Sequence, residues 1–113
     1  MKNDYFVIVY KILQHLYESL KNDAPINWDE MKPNSDKFPV NQDYWDYIWR
    51  NMYQSGLITG VIEVPMMGRA PGIKRTPALE ITPEGIRYLE ENSMMKKARK
   101  SITALADLIT IIY

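Results

Sequence analysis

A chain of 113 residues, 46% apolar and 25% charged, is long enough for one domain with its own core and too apolar for global disorder. It has no cysteine and one histidine, which excludes disulfides and leaves a zinc site short of its usual ligands. Fourteen Lys/Arg balance fourteen Asp/Glu, and a net charge of zero argues against avid non-specific binding to nucleic acid. The balance is uneven along the chain. Residues 1–63 hold six basic and nine acidic side chains, and residues 64–113 hold eight and five.

The first expected helix runs from about Asp4 to Lys21. Tyr5, Ile8, Val9, Ile12, Leu13, Leu16 and Leu20 recur at spacings of three and four, which places them on one buried face. Asp4 is its N-cap candidate, and Asn22-Asp23-Ala24-Pro25 supplies stop residues. Pro25, Pro33 and Pro39 then divide residues 24–40, so no helix longer than about two turns fits between them. Ile26 is placed to open a minimal strand. A stunted second helix fits either Trp28–Lys32 or Pro33–Phe38, where proline takes the first position, and the latter is favoured.

Asn41 caps a third helix, with Asp43 in its first turn where a negative charge suits the helix dipole. Trp45, Ile48, Trp49 and Met52 form its apolar stripe, and Gly56 is positioned to end it. Leu57–Val64 reads as a strand, with Gly60 marking a bulge or a close backbone approach. Three prolines and two glycines within Pro65–Pro77 predict an irregular loop, and it carries Arg69, Lys74 and Arg75 without an acidic residue. Leu79–Ile81 is the expected returning strand. Thr82-Pro83-Glu84 opens another helix, with Gly85 placed for close packing and Ile86 and Leu89 facing inward.

A break at Asn92-Ser93 precedes a last expected helix, Met94–Tyr113. It begins with Lys96-Lys97-Ala98-Arg99-Lys100 and continues with Ile102, Leu105, Ile109 and Ile112 at spacings of three, four and three. Helix, strand, basic loop, strand and capped helix in this order predict an α+β fold, mostly α. The specific form is a winged helix-turn-helix over residues 1–92 with an extra C-terminal helix over 93–113.

Two blocks, Asn41–Val61 (NQDYWDYIWRNMYQSGLITGV) and Ile81–Ala98 (ITPEGIRYLEENSMMKKA), resemble the YjcQ-like proteins, small winged-helix proteins of Gram-positive bacteria and their phages. With the first helix included, the similarity covers roughly residues 5–100. The Thr-Pro-Glu-Gly motif followed by Tyr-Leu-Glu-Glu-Asn-Ser is the more specific match. The resemblance implies the fold and a prokaryotic or phage origin, and it implies no catalytic residue and no cofactor.

Two function classes follow. One is a DNA-binding regulator or phage accessory protein, in which Arg50, Asn51 and Gln54 of the third helix meet base edges and Arg69, Lys74 and Arg75 grip phosphates. Asp43 and Asp46, at the start of the same helix, would be repelled by phosphates. The other class is a winged-helix module for protein–protein contact without DNA binding. Double-stranded DNA and a protein partner are therefore both expected partners.

Ile102, Leu105, Ile109 and Ile112 are the candidate seam of a homodimer or of a fold-back onto the first helix. His15 is read as a boundary residue of the first helix, and Trp45 and Trp49 as core. No nucleophile motif, phosphate-binding glycine motif or metal-ligand spacing is present, so an enzyme is not expected. With no signal-like N-terminus and no apolar run near the roughly 18 residues that span a bilayer, the expected location is cytoplasmic and away from membranes.

Overall fold

The computed structural model describes residues 4–92. Three helices and one hairpin follow in order: α1 (Tyr5–Lys21), α2 (Gln42–Gln54), β1 (Ile58–Met66), β2 (Arg69–Ile81) and α3, helical over residues 83–92. This is a small α+β architecture in which β1 and β2 form one two-stranded antiparallel sheet.

In α1, Ile8, Val9, Ile12, Leu13 and Leu16 are buried, as their spacing predicts. Leu20 is exposed instead, because the chain leaves the core one turn later at Asp23, which adopts a left-handed φ of 50°. The Asp4 side chain makes no capping bond; its backbone carbonyl accepts from the Ile8 N–H at 3.0 Å.

Residues 24–40 correct the sequence reading. Neither Trp28–Lys32 nor Pro33–Phe38 is helical, and Ile26 opens no strand; residues 28–30 form a turn and residues 31–37 a run of bends. The prolines withhold backbone donors and push the residues before them toward extended conformations, which defeats a helix this short. Asn34, at a left-handed φ of 56°, breaks the path again.

The segment closes on itself instead. Asn34 N–H donates to the Val40 carbonyl at 2.8 Å, the Ser35 hydroxyl to the Lys32 carbonyl at 2.8 Å, and Phe38 N–H to the Ser35 hydroxyl at 3.2 Å. Held this way, it buries Met31, Phe38 and Val40. Each such side chain contributes about 1.5–3 kcal/mol relative to exposure, so an irregular loop fills the core position that a helix was expected to fill.

His15 anchors this loop to α1, its Nε2 accepting a hydrogen bond from the Asn27 N–H at 3.1 Å. That acceptor must be unprotonated. Burial, and then the charge of Lys37, push the His15 pKa below its ordinary 6.5, against the opposing pull of Glu30 and Glu18. A histidine whose pKa is lowered by folding contributes stability that is complete above 6.5 and lost as the pH falls below it. Thermal melts of the parent and His15→Gln, which keeps a side-chain acceptor, check this. The parent is expected to lose more stability on acidification than the variant, and equal losses would exclude His15 as the cause.

α2 is closed at both ends by its own sequence. The Asn41 side chain accepts from Tyr44 N–H at 2.8 Å. At the other end, Gly56 N–H donates to the Tyr53 carbonyl and Leu57 N–H to the Met52 carbonyl at 2.9 Å, the paired bonds of a Schellman motif. Trp45, Ile48, Trp49 and Met52 are all buried.

The hairpin is the second correction. Most of Pro65–Pro77 is strand, and only Met67-Gly68 forms the connecting turn. Pairing runs from Ile58↔Ile81 to Met66↔Arg69, with register shifts between Thr59 and Val61 and between Val64 and Met66. A two-stranded sheet has only edge strands, where proline is tolerated, and Pro65, Pro71 and Pro77 all fall at the register shifts. Gly60 sits in the first shift at φ +85°, with the Ala78 carbonyl oxygen 2.2 Å from where a Cβ would be. Thr76 closes that bulge, its hydroxyl donating to the Gly60 carbonyl at 2.7 Å and accepting from Ala78 N–H at 3.2 Å.

Thr82 joins the pieces. Its Oγ1 accepts from Gly85 N–H at 3.1 Å as the cap of α3 and donates to the Gly56 carbonyl just past α2. Gly85 admits the Leu57 carbonyl, which would lie 2.3 Å from a Cβ there. Ile86 and Leu89 pack on the same single core as α1, α2 and the hairpin base.

Candidate functional site

β2 runs beside α2, and this decides what the third predicted helix presents. Its polar residues at spacings of seven and four meet the hairpin in turn. Asp43 Oδ1 accepts from Arg69 at 2.9 Å, Arg50 donates to the Pro71 carbonyl at 2.9 Å, and Gln54 donates to Glu63 Oε1 at 3.0 Å. Asn51 donates back to the Tyr47 carbonyl of its own helix at 2.8 Å. All three residues expected to read bases therefore already hold intramolecular partners.

The three expected phosphate contacts separate. Arg69 is paired with Asp43, with both side chains more than half exposed, so the pair adds little stability while neutralising the cation. Arg75 lies flat on Trp28, its guanidinium carbon 3.6 Å from the ring centroid. Lys74 stands opposite Ile62 on the other face of the hairpin, exposed and with no ion pair among the described residues. The Lys96–Lys100 run and the candidate seam Ile102, Leu105, Ile109 and Ile112 lie outside the described residues. Residues 4–92 carry nine Lys/Arg against thirteen Asp/Glu, so the folded body is acidic by four charges.

A group of aromatic side chains stands out where α1 begins beside α2. Tyr5 meets Phe6 edge-on at 5.2 Å and Tyr47 at 6.1 Å, and Tyr44 lies 6.3 Å from Tyr47. The Arg50 guanidinium lies 5.7 Å from the Tyr47 ring. Phe6 is 68% exposed and Tyr47 47% exposed. Burial, reinforced by neighbouring phenols and, at Tyr44, by Asp4, raises the pKa values of Tyr5 and Tyr44, so both remain hydrogen-bond donors at neutral pH. Sequence reasoning missed this group. The available signal was Phe6, a large apolar residue off the buried stripe of α1, together with Tyr47 on the polar side of α2.

The outward face of the hairpin is apolar as well. Ile62, Val64 and Met66 alternate along β1 and are exposed, as is Met67 in the turn. Trp28 is half-buried against the core, and Trp45 and Trp49 are core residues, as their spacing predicts. Among the described residues no group of three His, Asp or Glu side chains is placed to hold a metal ion. None of the described helices is long and apolar enough to cross a membrane.

With this geometry in place, the model of the family described as YjcQ protein matches residues 10–108, almost the whole chain. The chain belongs to the YjcQ family. The match spans the loop of residues 24–40, α2, the hairpin and α3, and it continues past residue 92 into the basic run. No curated protein and no solved structure matches this YjcQ family member.

Proposed function

We propose that this YjcQ family member is a winged-helix module that binds a protein partner. In this reading α2 takes the place of the recognition helix, the hairpin that of the wing, and Tyr5, Phe6, Tyr44 and Tyr47 the centre of the contact. One observation carries it: Arg50 and Gln54, which have the chemistry for base edges, are bonded to Pro71 and Glu63 of the hairpin. The acidic charge of residues 4–92 supports it, since a duplex demands the opposite sign. Exposed tyrosine and phenylalanine beside an arginine are the side chains that dominate protein interfaces. The reading is of a cytoplasmic module with no reaction of its own.

Duplex DNA is the second reading, favoured by the exposed Lys74 and the basic run at Lys96–Lys100. Fluorescence anisotropy with labelled duplex at about 50 mM salt, where phosphate contacts are least screened, separates the two. The expected result is no salt-dependent binding, and no difference between the parent and the Arg69→Ala, Lys74→Ala, Arg75→Ala triple variant. Phe6→Ser with Tyr47→Ser should abolish capture of a protein partner from the native cell while leaving the melting temperature nearly unchanged. Duplex binding whose salt slope falls in the triple variant would overturn the protein-partner reading.

A further inference from the structure

A second stripe of α2, distinct from the tyrosine surface, faces the inner side of β2 across a cleft of about 140 Å³. Gln42, Trp45, Asp46 and Trp49 line it from the helix, and Ile73 and Arg75 from the strand. Its aromatic side is rigid. Trp45 packs against Trp49 at 5.9 Å and against Phe38 at 4.9 Å, and Trp28 lies 6.1 Å from Trp49.

The polar groups of the cleft are partly committed. Gln42 donates to Asp46 Oδ1 at 2.8 Å, which leaves the second carboxylate oxygen to accept from a ligand. Arg75 is held flat on Trp28 and makes no hydrogen bond or ion pair among the described residues, so the in-plane N–H donors of its guanidinium remain to be used. Trp49 is 5% exposed, and its indole N–H is buried without an acceptor. A buried donor left unpaired costs about 1–3 kcal/mol, which a ligand acceptor would recover.

These features narrow the ligand by chemistry. A cation is disfavoured because Arg75 already occupies the ring face of Trp28. A simple anion is disfavoured because Asp46 shares the lining. What fits is a small, flat, uncharged ring with hydrogen-bond acceptors on one edge and donors on another, able to lie against indole rings.

We propose that the cleft binds a nucleobase, guanine above the others, in a free nucleoside or nucleotide. Guanine offers O6 and N7 to an arginine, the commonest arginine–base pairing, and its N1–H and N2–H edge to a carboxylate. The other bases satisfy only part of this set. The acidic body disfavours a polyanionic strand but not a single base. The inference is independent of the tyrosine surface and of the protein partner proposed for it.

The chain has three tryptophans, all around this cleft, so three indole N–H resonances report on it directly. The experiment titrates the full-length ¹⁵N-labelled protein with guanosine, adenosine, cytidine and uridine, then with GMP and a short guanine-containing single strand. Guanosine is expected to move the Trp49 indole resonance, and GMP to do the same at similar concentrations. Asp46→Asn is expected to weaken guanosine at least about tenfold while leaving the melting temperature and the other nucleosides nearly unaffected. Arg75→Gln should weaken binding of every base that accepts from it. No indole shift at millimolar guanosine, or equal shifts with all four nucleosides, would overturn the proposal. Binding seen only with the single strand would overturn the assignment to a free nucleoside or nucleotide.

Discussion

Replacing Trp45 with alanine is expected to destabilise the domain by about 3–5 kcal/mol, the range for truncating a large buried aromatic. The side chain is almost fully buried and sits between two rings, edge-on to Phe38 at 4.9 Å and to Trp49 at 5.9 Å. Each such pair adds about 0.5–1.5 kcal/mol beyond the area it buries. Phe38 belongs to the irregular segment and has no helix to hold it, so losing Trp45 releases the loop as well as opening a cavity. Against a total stability of about 5–15 kcal/mol, that is a large fraction. Urea unfolding followed by tryptophan fluorescence measures the change. Tyr53→Ala, on the exposed side of the same helix, serves as a control expected to stay close to the parent. A Trp45→Ala midpoint equal to that of the control would show that Trp45 does not hold the loop.

Gly60→Ala is the second large effect. Two separate penalties fall on this position. An alanine at φ +85° is strained by about 1–3 kcal/mol, and its Cβ would meet the backbone of Ala78 and Leu79 at 2.2–2.4 Å. Forcing atoms into a filled space typically costs a further 1–3 kcal/mol or so. The clash is with backbone, so no rotamer change relieves it. The expected outcome is a hairpin that loses its bulge and register, seen as a lower unfolding midpoint and faster amide exchange at Val61 and Leu79. A Gly68→Ala variant separates the two penalties: its φ is +71° but nothing lies within 4 Å, so it should suffer the strain alone. Equal losses in the two variants would mean that the close approach at Gly60 carries no energy.

The candidate site was only half legible in the sequence. Arg50, Asn51 and Gln54 have groups that pair with bases, and Arg69, Lys74 and Arg75 form a basic cluster along the chain. Both statements concern residue types, and neither specifies a partner. Whether an arginine is available depends on what lies beside it, and here Pro71, Asp43 and Trp28 are 21, 26 and 47 residues away along the chain. Phe6 and Tyr47 show the converse. Each looked like an isolated exception to its helix pattern, and only the packing of α1 beside α2 brings them together with Tyr5 and Tyr44.

Elements with local causes were determined by the sequence alone. The stripes of α1 and α2, the Asn41 and Thr82 caps, the end of α2 at Gly56 and the close approaches at Gly60 and Gly85 depend on spacing and short-range bonds, which a linear chain displays directly. The tertiary structure decided the rest. Residues 24–40 lost their expected helix because buried positions for Met31, Phe38 and Val40 outweighed weak local preferences between three prolines. Pro65–Pro77 became strand because, with each register shift taking up a proline, cross-strand pairing holds a backbone that local propensity reads as loop. Burial and pairing energies belong to contacts between residues far apart in the chain, and those contacts fixed both the second half of the hairpin and the faces that α2 presents.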